Sequence, residues 1–290
     1  MADLKKFKHF TVSSMAFGTW RIGGGFWRAS HARDGEWTAS IKRAIELGIT
    51  TIDTAEMYGN GHAEELVGEA IKGFERDKLF IVSKVWPSHA SYEKVLKSAK
   101  ASSQRLGTHI DLYLLHAPSR TVPLCETISA FERLVDDGII RFFGLSNFDS
   151  SGIQKAMSCC KKYEVVAIQN HFSLLSRKDE NDALLFARNN GLMYMAYTPL
   201  ENGILTRNEF LNEIGKKYNK TASQVALNWY ISVDNLVPIV KASTPAHVEE
   251  NAQAMEWRLS REDWEAINNH FRTKGYLKEK VVSFFKSMRP

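Results

Sequence analysis

Along most of the chain, short apolar runs alternate with longer segments in which apolar residues recur with helical spacing. Each short run is typical of a buried strand, and each longer segment, often ended by glycine, is typical of an amphipathic helix. After a short start that is expected to form a hairpin, the predicted strands are Met15–Trp20, Thr50–Asp53, Leu79–Lys84, Asp111–His116, Ile140–Ser146, Val165–Asn170, Met193–Tyr197 and Leu236–Val240. The predicted helices are Trp37–Leu47, Ala63–Ile71, Ser91–Leu106, Leu124–Asp137, Ser151–Tyr163, Arg177–Asn190, Thr221–Val233 and Pro245–Ala254.

This alternation of strand and helix predicts a parallel sheet with right-handed crossovers. Eight such units close a (β/α)8 TIM barrel, whereas five or six would give an open sheet. The length suits one barrel, so residues 1–290 are interpreted as a single domain. A longer connection is expected at Pro199–Tyr218, and an extra helix at Arg261–Phe271 follows the barrel. The tail is expected either to cover the barrel mouth or to pack on a helix, through Tyr276, Phe284 and Phe285.

The composition limits the compartments in which the protein is expected to act and the partners that it is expected to bind. Apolar content of 44% and charged content of 24% are ordinary for a soluble globular protein. Basic residues are scattered among nearly as many acids, so no nucleic-acid partner is expected despite a net charge of +5. No apolar stretch reaches about 18 residues and no signal peptide is visible, so no membrane partner is expected either. Cys125, Cys159 and Cys160 lack metal-ligand spacing, which indicates a reducing, cytoplasmic compartment and argues against structural zinc.

Three consecutive predicted strands each lead to an ionisable residue. The strand before the Gly59-Asn60-Gly61 turn ends on Asp53 and is followed by Tyr58, the next ends on Lys84, and the third ends on His116. The carboxyl ends of barrel strands share one face, which is where the chemistry of such barrels lies. We therefore expect these four side chains to converge. Ser146, Asn170 and Tyr197 end later strands and should lie on the same face.

These four residue types can carry out carbonyl reduction. A tyrosine titrates near about 10, and a neighbouring ammonium is expected to lower that pKa by about 1–3 units, towards the range of a useful general acid. Asp53 would hold Lys84 by a charged hydrogen bond, while His116 would orient a carbonyl oxygen. Each residue alone also has a structural explanation: a strand-end cap, a solvated lysine, a partly buried histidine or a loop aromatic. Their occurrence on successive strand ends favours the functional interpretation.

Several motifs resemble those of the aldo-keto reductase superfamily over nearly the whole chain. They are Asp53-Thr54-Ala55 with Tyr58-Gly59-Asn60, Asp111-Leu112-Tyr113-Leu114-Leu115-His116, Gly144-Leu145-Ser146-Asn147-Phe148 and Ile168-Gln169-Asn170. The resemblance implies a (β/α)8 barrel that uses NADPH to reduce aldehydes and ketones. It also implies that Tyr58 is the proton donor, that Lys84 and Asp53 tune it, and that His116 orients the substrate.

The resemblance also implies a cofactor site. No Gly-x-Gly-x-x-Gly or Gly-Lys-Ser/Thr loop is present, so neither a Rossmann site nor a P-loop is expected. His247 stands where many relatives carry arginine against the 2′-phosphate, which weakens the expected preference for NADP(H) and leaves NAD(H) open. Lys241 still favours NADPH. The implied cofactor-binding residues are Gly18, Thr19, Trp20, Asp53, Ser146, Asn147, Gln169, Tyr197, Pro199, Leu200, Lys241, Ser243, Thr244, His247, Glu250 and Asn251.

A mostly apolar pocket is expected for the substrate, which would be a small aldehyde, ketone or sugar. The candidate substrate-binding residues are Trp20, Phe26, Trp27, Trp86 and His116. Two alternatives remain at this point: a sugar or alcohol dehydrogenase that works in the oxidative direction, and a weakly catalytic regulatory subunit that keeps its cofactor. A metal-dependent barrel hydrolase is not expected, because strand ends carry no His-x-His and no clustered carboxylates. No metal is therefore predicted, and the sequence leaves the oligomeric state open.

Overall fold

A computed structural model describes residues 3–272, and within it eight parallel strands form a closed barrel. The predicted (β/α)8 architecture is confirmed. The strands are β1 Leu4–Lys6, β2 Thr11–Ser13, β3 Ala16–Gly18, β4 Gly24–Gly25, β5 Arg28–Ala29, β6 Thr51–Asp53, β7 Phe80–Val85, β8 Ile110–Leu115, β9 Ile140–Ser146, β10 Val165–His171, β11 Met193–Tyr197 and β12 Leu236–Val240. Neighbouring barrel strands follow the order β10-β11-β12-β3-β6-β7-β8-β9.

Helices follow the barrel strands and cover their outer surface. They are α1 Asp34–Glu46, α2 His62–Ala70, α3 Tyr92–Leu106, α4 Leu124–Asp136, α5 Ser150–Cys159, α6 Ala183–Asn189, α7 Glu209–Tyr218, α8 Ala222–Ile231 and α9 Pro245–Ala252, and residues 261–272 are also helical. Short 3₁₀ turns lie at Gly59–Gly61, Arg76–Lys78, Pro87–His89, Lys178–Asn181, Glu201–Gly203, Leu205–Arg207 and Gln253–Met255. The tail residues Tyr276, Phe284 and Phe285 lie outside the described residues. Within residues 3–272, no helix combines the length and apolar character that a membrane crossing requires.

An antiparallel hairpin of β1 and β2 lies at the amino-terminal end of the barrel, as expected. Phe10 and Val12 from this hairpin pack with the apolar residues that fill the barrel interior. Lys5 is buried and donates hydrogen bonds from Nζ to the carbonyl oxygens of Val233 (2.5 Å) and Leu236 (2.6 Å). The hairpin therefore joins the start of the chain to the segment that enters β12.

Stability should depend on pH through Lys5. Burial lowers the pKa of Lys5 to about 7, although the charges of Asp234 and Asp3 oppose this shift. Between pH 7 and the ordinary lysine pKa near about 10.4, the unfolded chain binds a proton that the folded chain does not, so stability rises with pH. We expect the free energy of unfolding of the wild type, minus that of Lys5→Met, to rise by up to about 1.4 kcal/mol per pH unit in this window. Urea unfolding of both variants measures the difference, and parallel pH profiles would contradict it.

Two predicted helices differ from the observed ones because buried carboxylates hold the backbone in other conformations. The helix predicted to Tyr163 ends at Cys159, where the Glu132 carboxylate accepts hydrogen bonds from the backbone N–H groups of residues 161–163. The helix predicted from Arg177 begins instead as the 3₁₀ turn Lys178–Asn181. Asp179 in that turn is buried and accepts hydrogen bonds from Asn170 and Tyr194, which fixes the turn against the barrel.

The long connection predicted at Pro199–Tyr218 contains helix α7, which the sequence interpretation missed. Asn208 caps this helix by accepting a hydrogen bond from the backbone N–H of Leu211, as N-cap residues do. Leu211 and Ile214 then face the core. Gly24 and Gly25 form β4, which pairs antiparallel with Ala29 and Arg28 of β5.

A disulfide joins Cys125 of α4 to Cys159 of α5, and Cys160 remains a free thiol. Disulfides persist mainly in oxidising compartments. The cysteines therefore no longer support the expected reducing compartment. The sequence interpretation missed this pair because spacing along the chain does not show which faces of two neighbouring helices meet.

Candidate active site

The carboxyl ends of the barrel strands bring the predicted side chains to one rim. Asp53 ends β6 and pairs in register with Gly18 of β3 and Val82 of β7, so three neighbouring strands share this corner. Lys84 lies near the end of β7, and His116 directly follows β8. Ser146, Asn170 and Tyr197 lie at the ends of β9, β10 and β11.

Lys84 is at the centre of the group. Its side chain is fully buried, and Nζ donates hydrogen bonds to Asp53 Oδ2 and to the carbonyl oxygen of Thr54, both at 2.8 Å. The same nitrogen lies 3.4 Å from the Tyr58 hydroxyl oxygen. A buried ammonium needs such partners, because leaving it unpaired in a low dielectric is costly. The structure therefore brings together three of the predicted residues, Asp53, Tyr58 and Lys84.

A tight turn places Tyr58 above Lys84. Its backbone N–H bonds the carbonyl oxygen of Ala55, and the turn Gly59–Gly61 leads directly into α2. Gly59 has φ of +58°, and a Cβ there would lie 2.2 Å from the carbonyl oxygen of Gly23. Glycine is required at this position, because any side chain would displace the loop that carries the phenol.

The pKa of Tyr58 shifts in the direction opposite to the one predicted. Burial raises it well above its usual value, and the negative charge of Asp53 adds to the rise. The pKa of Lys84 is lowered, because burial outweighs the charge and hydrogen bond of Asp53. The predicted lowering of the Tyr58 pKa rested on the charge of Lys84 alone. Burial of the tyrosine has the larger effect and acts in the opposite direction. In this environment Tyr58 is held as a neutral phenol.

His116 lies edge-on to the Tyr58 ring. Their ring centroids are 5.8 Å apart, and the Trp86 ring lies 5.2 Å from the imidazole. Burial and the neighbouring Lys84 charge hold the pKa of His116 well below its usual value, so the imidazole is neutral. Its Nδ1 atom is buried and has no hydrogen-bond partner among residues 3–272. A buried nitrogen without a partner fits a site where a polar ligand completes the hydrogen bonding.

Aromatic side chains form the wall beside Tyr58. The Trp20 ring lies 5.0 Å from the Tyr58 ring and 4.7 Å from Phe26, and Trp27 lies 6.5 Å from Trp86. Phe26 and Trp27 are exposed to 60% and 40%, which is high for large apolar side chains. The four predicted aromatic residues therefore lie around one opening above the phenol.

On the opposite side of the barrel mouth lie polar residues of the predicted cofactor-binding set. Asn147 donates from Nδ2 to Ser146 Oγ at 3.1 Å, and its Oδ1 accepts from the Tyr197 hydroxyl at 2.7 Å. Gln169 donates from Nε2 to Asp53 Oδ1 at 2.7 Å. This hydrogen bond links the polar side directly to the Lys84 centre. Asn170 has a different role, because its side chain accepts from the backbone of residues 147–148 and holds that loop.

The residues predicted to bind the adenosine phosphate cluster after β12. Lys241 donates from Nζ to Ser243, and Thr244 caps helix α9 by accepting from the backbone N–H of His247. Three other members of the predicted set already have protein partners: the Glu250 carboxylate accepts from Thr221, the Pro199 carbonyl accepts from Tyr230, and Leu200 packs against the core. Asn251 is buried in α9.

Gly18 and Thr19 lie between this phosphate end and the Lys84 centre. A Cβ on Gly18 would lie 2.8 Å from Cγ2 of Ile239 on β12, so a larger residue would push that side chain aside where β3 and β12 pair. The Thr19 hydroxyl donates to the carbonyl oxygen of Asp53 at 3.0 Å. Both residues therefore shape the strand end on which the predicted cofactor site depends.

Residues 14–272 match the family model described as the Aldo/keto reductase family. The chain belongs to that family. Methylglyoxal reductase YeaE of Escherichia coli strain K12 is 40% identical over 257 residues, which cover 86% of this chain and 88% of that protein. An NADH-specific methylglyoxal reductase of the same strain is 30% identical over 306 residues, with coverage of 87% and 93%. The crystal structure of an aldo-keto reductase from Klebsiella pneumoniae in complex with NADPH is 33% identical, with a TM-score of 0.86 and coverage of 93% and 95%.

Family membership confirms the predicted resemblance and the expectation of an NAD(P)H-dependent oxidoreductase.

Two arginines of this aldo-keto reductase were missed in the sequence interpretation. Burial lowers the pKa of Lys241, and the positive charges of Arg33 and Arg21 lower it further. The charges of Arg33 and Arg21 therefore act on Lys241, the lysine of the predicted phosphate site, although Arg33 also forms an ion pair with Glu36. Arg21 directly follows Trp20 in the predicted cofactor-binding set, and this adjacency was an available signal.

A second buried carboxylate of the reductase lies behind Lys84. Glu64 of α2 is fully buried and accepts hydrogen bonds from Ser83 and from Arg105 Nε at 2.7 Å. Burial raises the pKa of Glu64, which Arg105 opposes. The charge of Glu64 also favours the ammonium form of Lys84. Sequence alone did not indicate this residue, because an acid on an amphipathic helix usually faces solvent.

Proposed function

We propose that this aldo-keto reductase uses NADPH to reduce the carbonyl group of small aldehydes and ketones, with Tyr58 as the general acid. The observation that carries the proposal is the contact of Lys84 Nζ with both Asp53 Oδ2 at 2.8 Å and the Tyr58 hydroxyl at 3.4 Å. A neutral phenol hydrogen-bonded to a buried ammonium can give up its proton while the ammonium stabilises the phenolate that forms.

The protein groups would act on the carbonyl oxygen. Tyr58 donates its proton to that oxygen, and the neutral imidazole of His116 donates a second hydrogen bond that orients it. Lys84 stabilises the resulting phenolate, and Asp53 holds Lys84 in the charged form. When bound, the reduced nicotinamide supplies the hydride that the carbonyl carbon receives. The product alcohol then contains one hydride from the cofactor and one proton from the phenol.

Residues along the barrel rim fit the proposed cofactor. Burial and the positive charges of Arg33 and Arg21 lower the pKa of Lys241, and an anion bound beside it would stabilise its ammonium form. Ser146, Asn147 and Gln169 offer amide and hydroxyl groups for a carboxamide, and Tyr197 offers a ring for stacking. We favour NADP(H) because of the three cations, and NAD(H) remains the alternative that the NADH-specific relative suggests.

Two observations favour a small carbonyl substrate of the 2-oxoaldehyde class, such as methylglyoxal. The relative that is 40% identical is named a methylglyoxal reductase, and a glyoxal reductase of Bacillus subtilis is 36% identical over 80% of this chain. The wall beside Tyr58 is aromatic, so it suits an uncharged carbonyl compound better than a polyanion.

A direct assay tests the proposed reaction. Purified protein is mixed with NADPH and either methylglyoxal or 4-nitrobenzaldehyde, and the loss of the reduced cofactor's absorbance is followed. We expect saturable turnover with both substrates. Tight NADPH binding without turnover on any aldehyde would overturn the catalytic proposal and favour the regulatory alternative.

We expect Lys241→Ala to raise the KM for NADPH about 10–100-fold and to leave the KM for NADH nearly unchanged. A charged hydrogen bond to a phosphate contributes about 1.5–3 kcal/mol. NADH has no 2′-phosphate, so the substitution removes no such hydrogen bond from its complex. Steady-state kinetics with both cofactors provide the measurement. Lys216→Ala, which removes an exposed lysine from α7, serves as the control. Equal changes for the two cofactors would remove Lys241 from the phosphate site.

A further inference from the structure

A cluster of histidine and carboxylate side chains lies outside the carbonyl-reducing centre, where the segment before α1 meets the start of α2. His62 Nε2 lies 3.0 Å from both carboxylate oxygens of Asp34, and His62 Nδ1 lies 2.7 Å from Glu65 Oε2. His31 Nδ1 lies 3.2 Å from Asp34 Oδ2, and the two imidazole rings are 4.0 Å apart. The candidate ligand atoms of His31, Asp34 and His62 all lie within 4.8 Å of one another.

The hydrogen bonding of His62 requires a cation. Both ring nitrogens face carboxylate oxygens, which only accept hydrogen bonds, whereas a neutral imidazole has only one N–H to donate. A neutral His62 would therefore leave one nitrogen lone pair pointing at a carboxylate. His62 is largely buried, so water cannot easily relieve this contact. Either a second proton on the ring or a metal ion between Nε2 and Asp34 resolves it.

We propose that His31, Asp34 and His62 bind a divalent transition-metal ion of the zinc class. Two imidazoles and one carboxylate are a ligand set that Zn²⁺ accepts with a water molecule in the fourth position. Glu65 completes the site, because its hydrogen bond to Nδ1 fixes the His62 tautomer and leaves Nε2 free for the metal. The His31 side chain is 69% exposed and can rotate to close the coordination sphere.

The location links this site to the rim of the barrel. His62 directly follows the Gly59–Gly61 turn that carries Tyr58, and His31 directly follows the segment that contains β4 and β5. That segment also carries Phe26 and Trp27, and the backbone N–H of Trp27 bonds the carbonyl oxygen of Met57 at 3.0 Å. A bound ion would join the ends of the two loops that form this side of the opening. The sequence prediction of no metal considered strand ends and contiguous motifs, and these ligands come from two separate loops.

Metal binding can be measured without any activity assay. The chelator-treated full-length protein is titrated with ZnCl₂, and binding is measured by calorimetry. A second titration uses CoCl₂ and visible absorption, because the d–d bands of bound Co²⁺ report a low-coordinate ion with nitrogen and oxygen ligands. We expect stoichiometric binding of either ion. His31→Ala and Asp34→Asn should each weaken binding about tenfold or more. Both altered side chains are at least partly exposed, and thermal melting of the metal-free variants checks that they fold.

His9→Ala is the matched control, because His9 is another histidine that contacts a carboxylate, that of Glu164, at the surface. Its metal affinity should equal that of the wild type. The absence of cobalt bands and of zinc binding in the wild type would overturn the proposal. Unchanged affinity in both His31→Ala and Asp34→Asn would also overturn it, since any bound metal would then lie elsewhere.

Discussion

Tyr58→Phe is expected to lower kcat for carbonyl reduction by about 10²–10⁴-fold, because proton donation by a positioned side chain contributes a factor of that size. The substitution removes only the hydroxyl that lies 3.4 Å from Lys84 Nζ and keeps the ring that packs against Trp20. Cofactor affinity should therefore change little. Single-turnover kinetics with methylglyoxal, together with NADPH binding followed by fluorescence, separate the two effects.

Tyr113→Phe is the matched control for this experiment. Tyr113 is a fully buried tyrosine of strand β8, and its ring packs against Phe131 of α4, away from Lys84. Loss of its hydroxyl should leave kcat close to that of the wild type. If Tyr58→Phe retained wild-type turnover, another group would have to be the proton donor.

Lys84→Met is expected to lower kcat by about 10²–10³-fold, since removal of one preorganised charged donor from an active site typically costs that much. The substitution also leaves the buried Asp53 carboxylate without its ammonium partner. Breaking a buried ion pair from one side costs about 3–5 kcal/mol of stability. Thermal melting and NADPH binding must therefore accompany the kinetics, so that loss of folding is not mistaken for loss of catalysis.

Asp53→Asn separates these two effects, because it keeps the shape of the side chain, removes its charge and leaves one oxygen to accept a hydrogen bond. Asp53 opposes the lowering of the pKa of Lys84 by burial. Without that charge the pKa of Lys84 falls further, so the ammonium loses its proton at lower pH. The alkaline fall of kcat should therefore begin at lower pH than in the wild type. An unshifted alkaline limb in a folded Asp53→Asn protein would show that Lys84 does not govern turnover.

The barrel could be predicted from sequence because its elements are local and repeated. Each strand is a short apolar run, each helix has apolar spacing, and several helices are followed by a glycine, as at Gly107 after α3. Strand β9 and strand β11 have the predicted bounds. The meeting of Asp53, Lys84 and His116 followed from topology, because parallel strands end on the same face.

What could not be predicted depends on contacts between distant segments or on depth below the surface. The early end of α5 requires Glu132, which belongs to the preceding helix. The shift in the pKa of Tyr58 depends on how completely its hydroxyl is buried, and no local pattern encodes that burial. The charges of Arg21 and Arg33 affect the pKa of Lys241 because the pairing of β3 with β12 brings distant parts of the chain together.

An isolated antiparallel β-bridge pairs the backbone of Phe26 with that of Tyr58. This pairing has a practical consequence for attempts to change substrate selectivity. The aromatic side chains that would contact a substrate and the phenol that would protonate it are carried on paired backbone. Redesign of residues 25–28 therefore risks slowing every reaction together with the intended one.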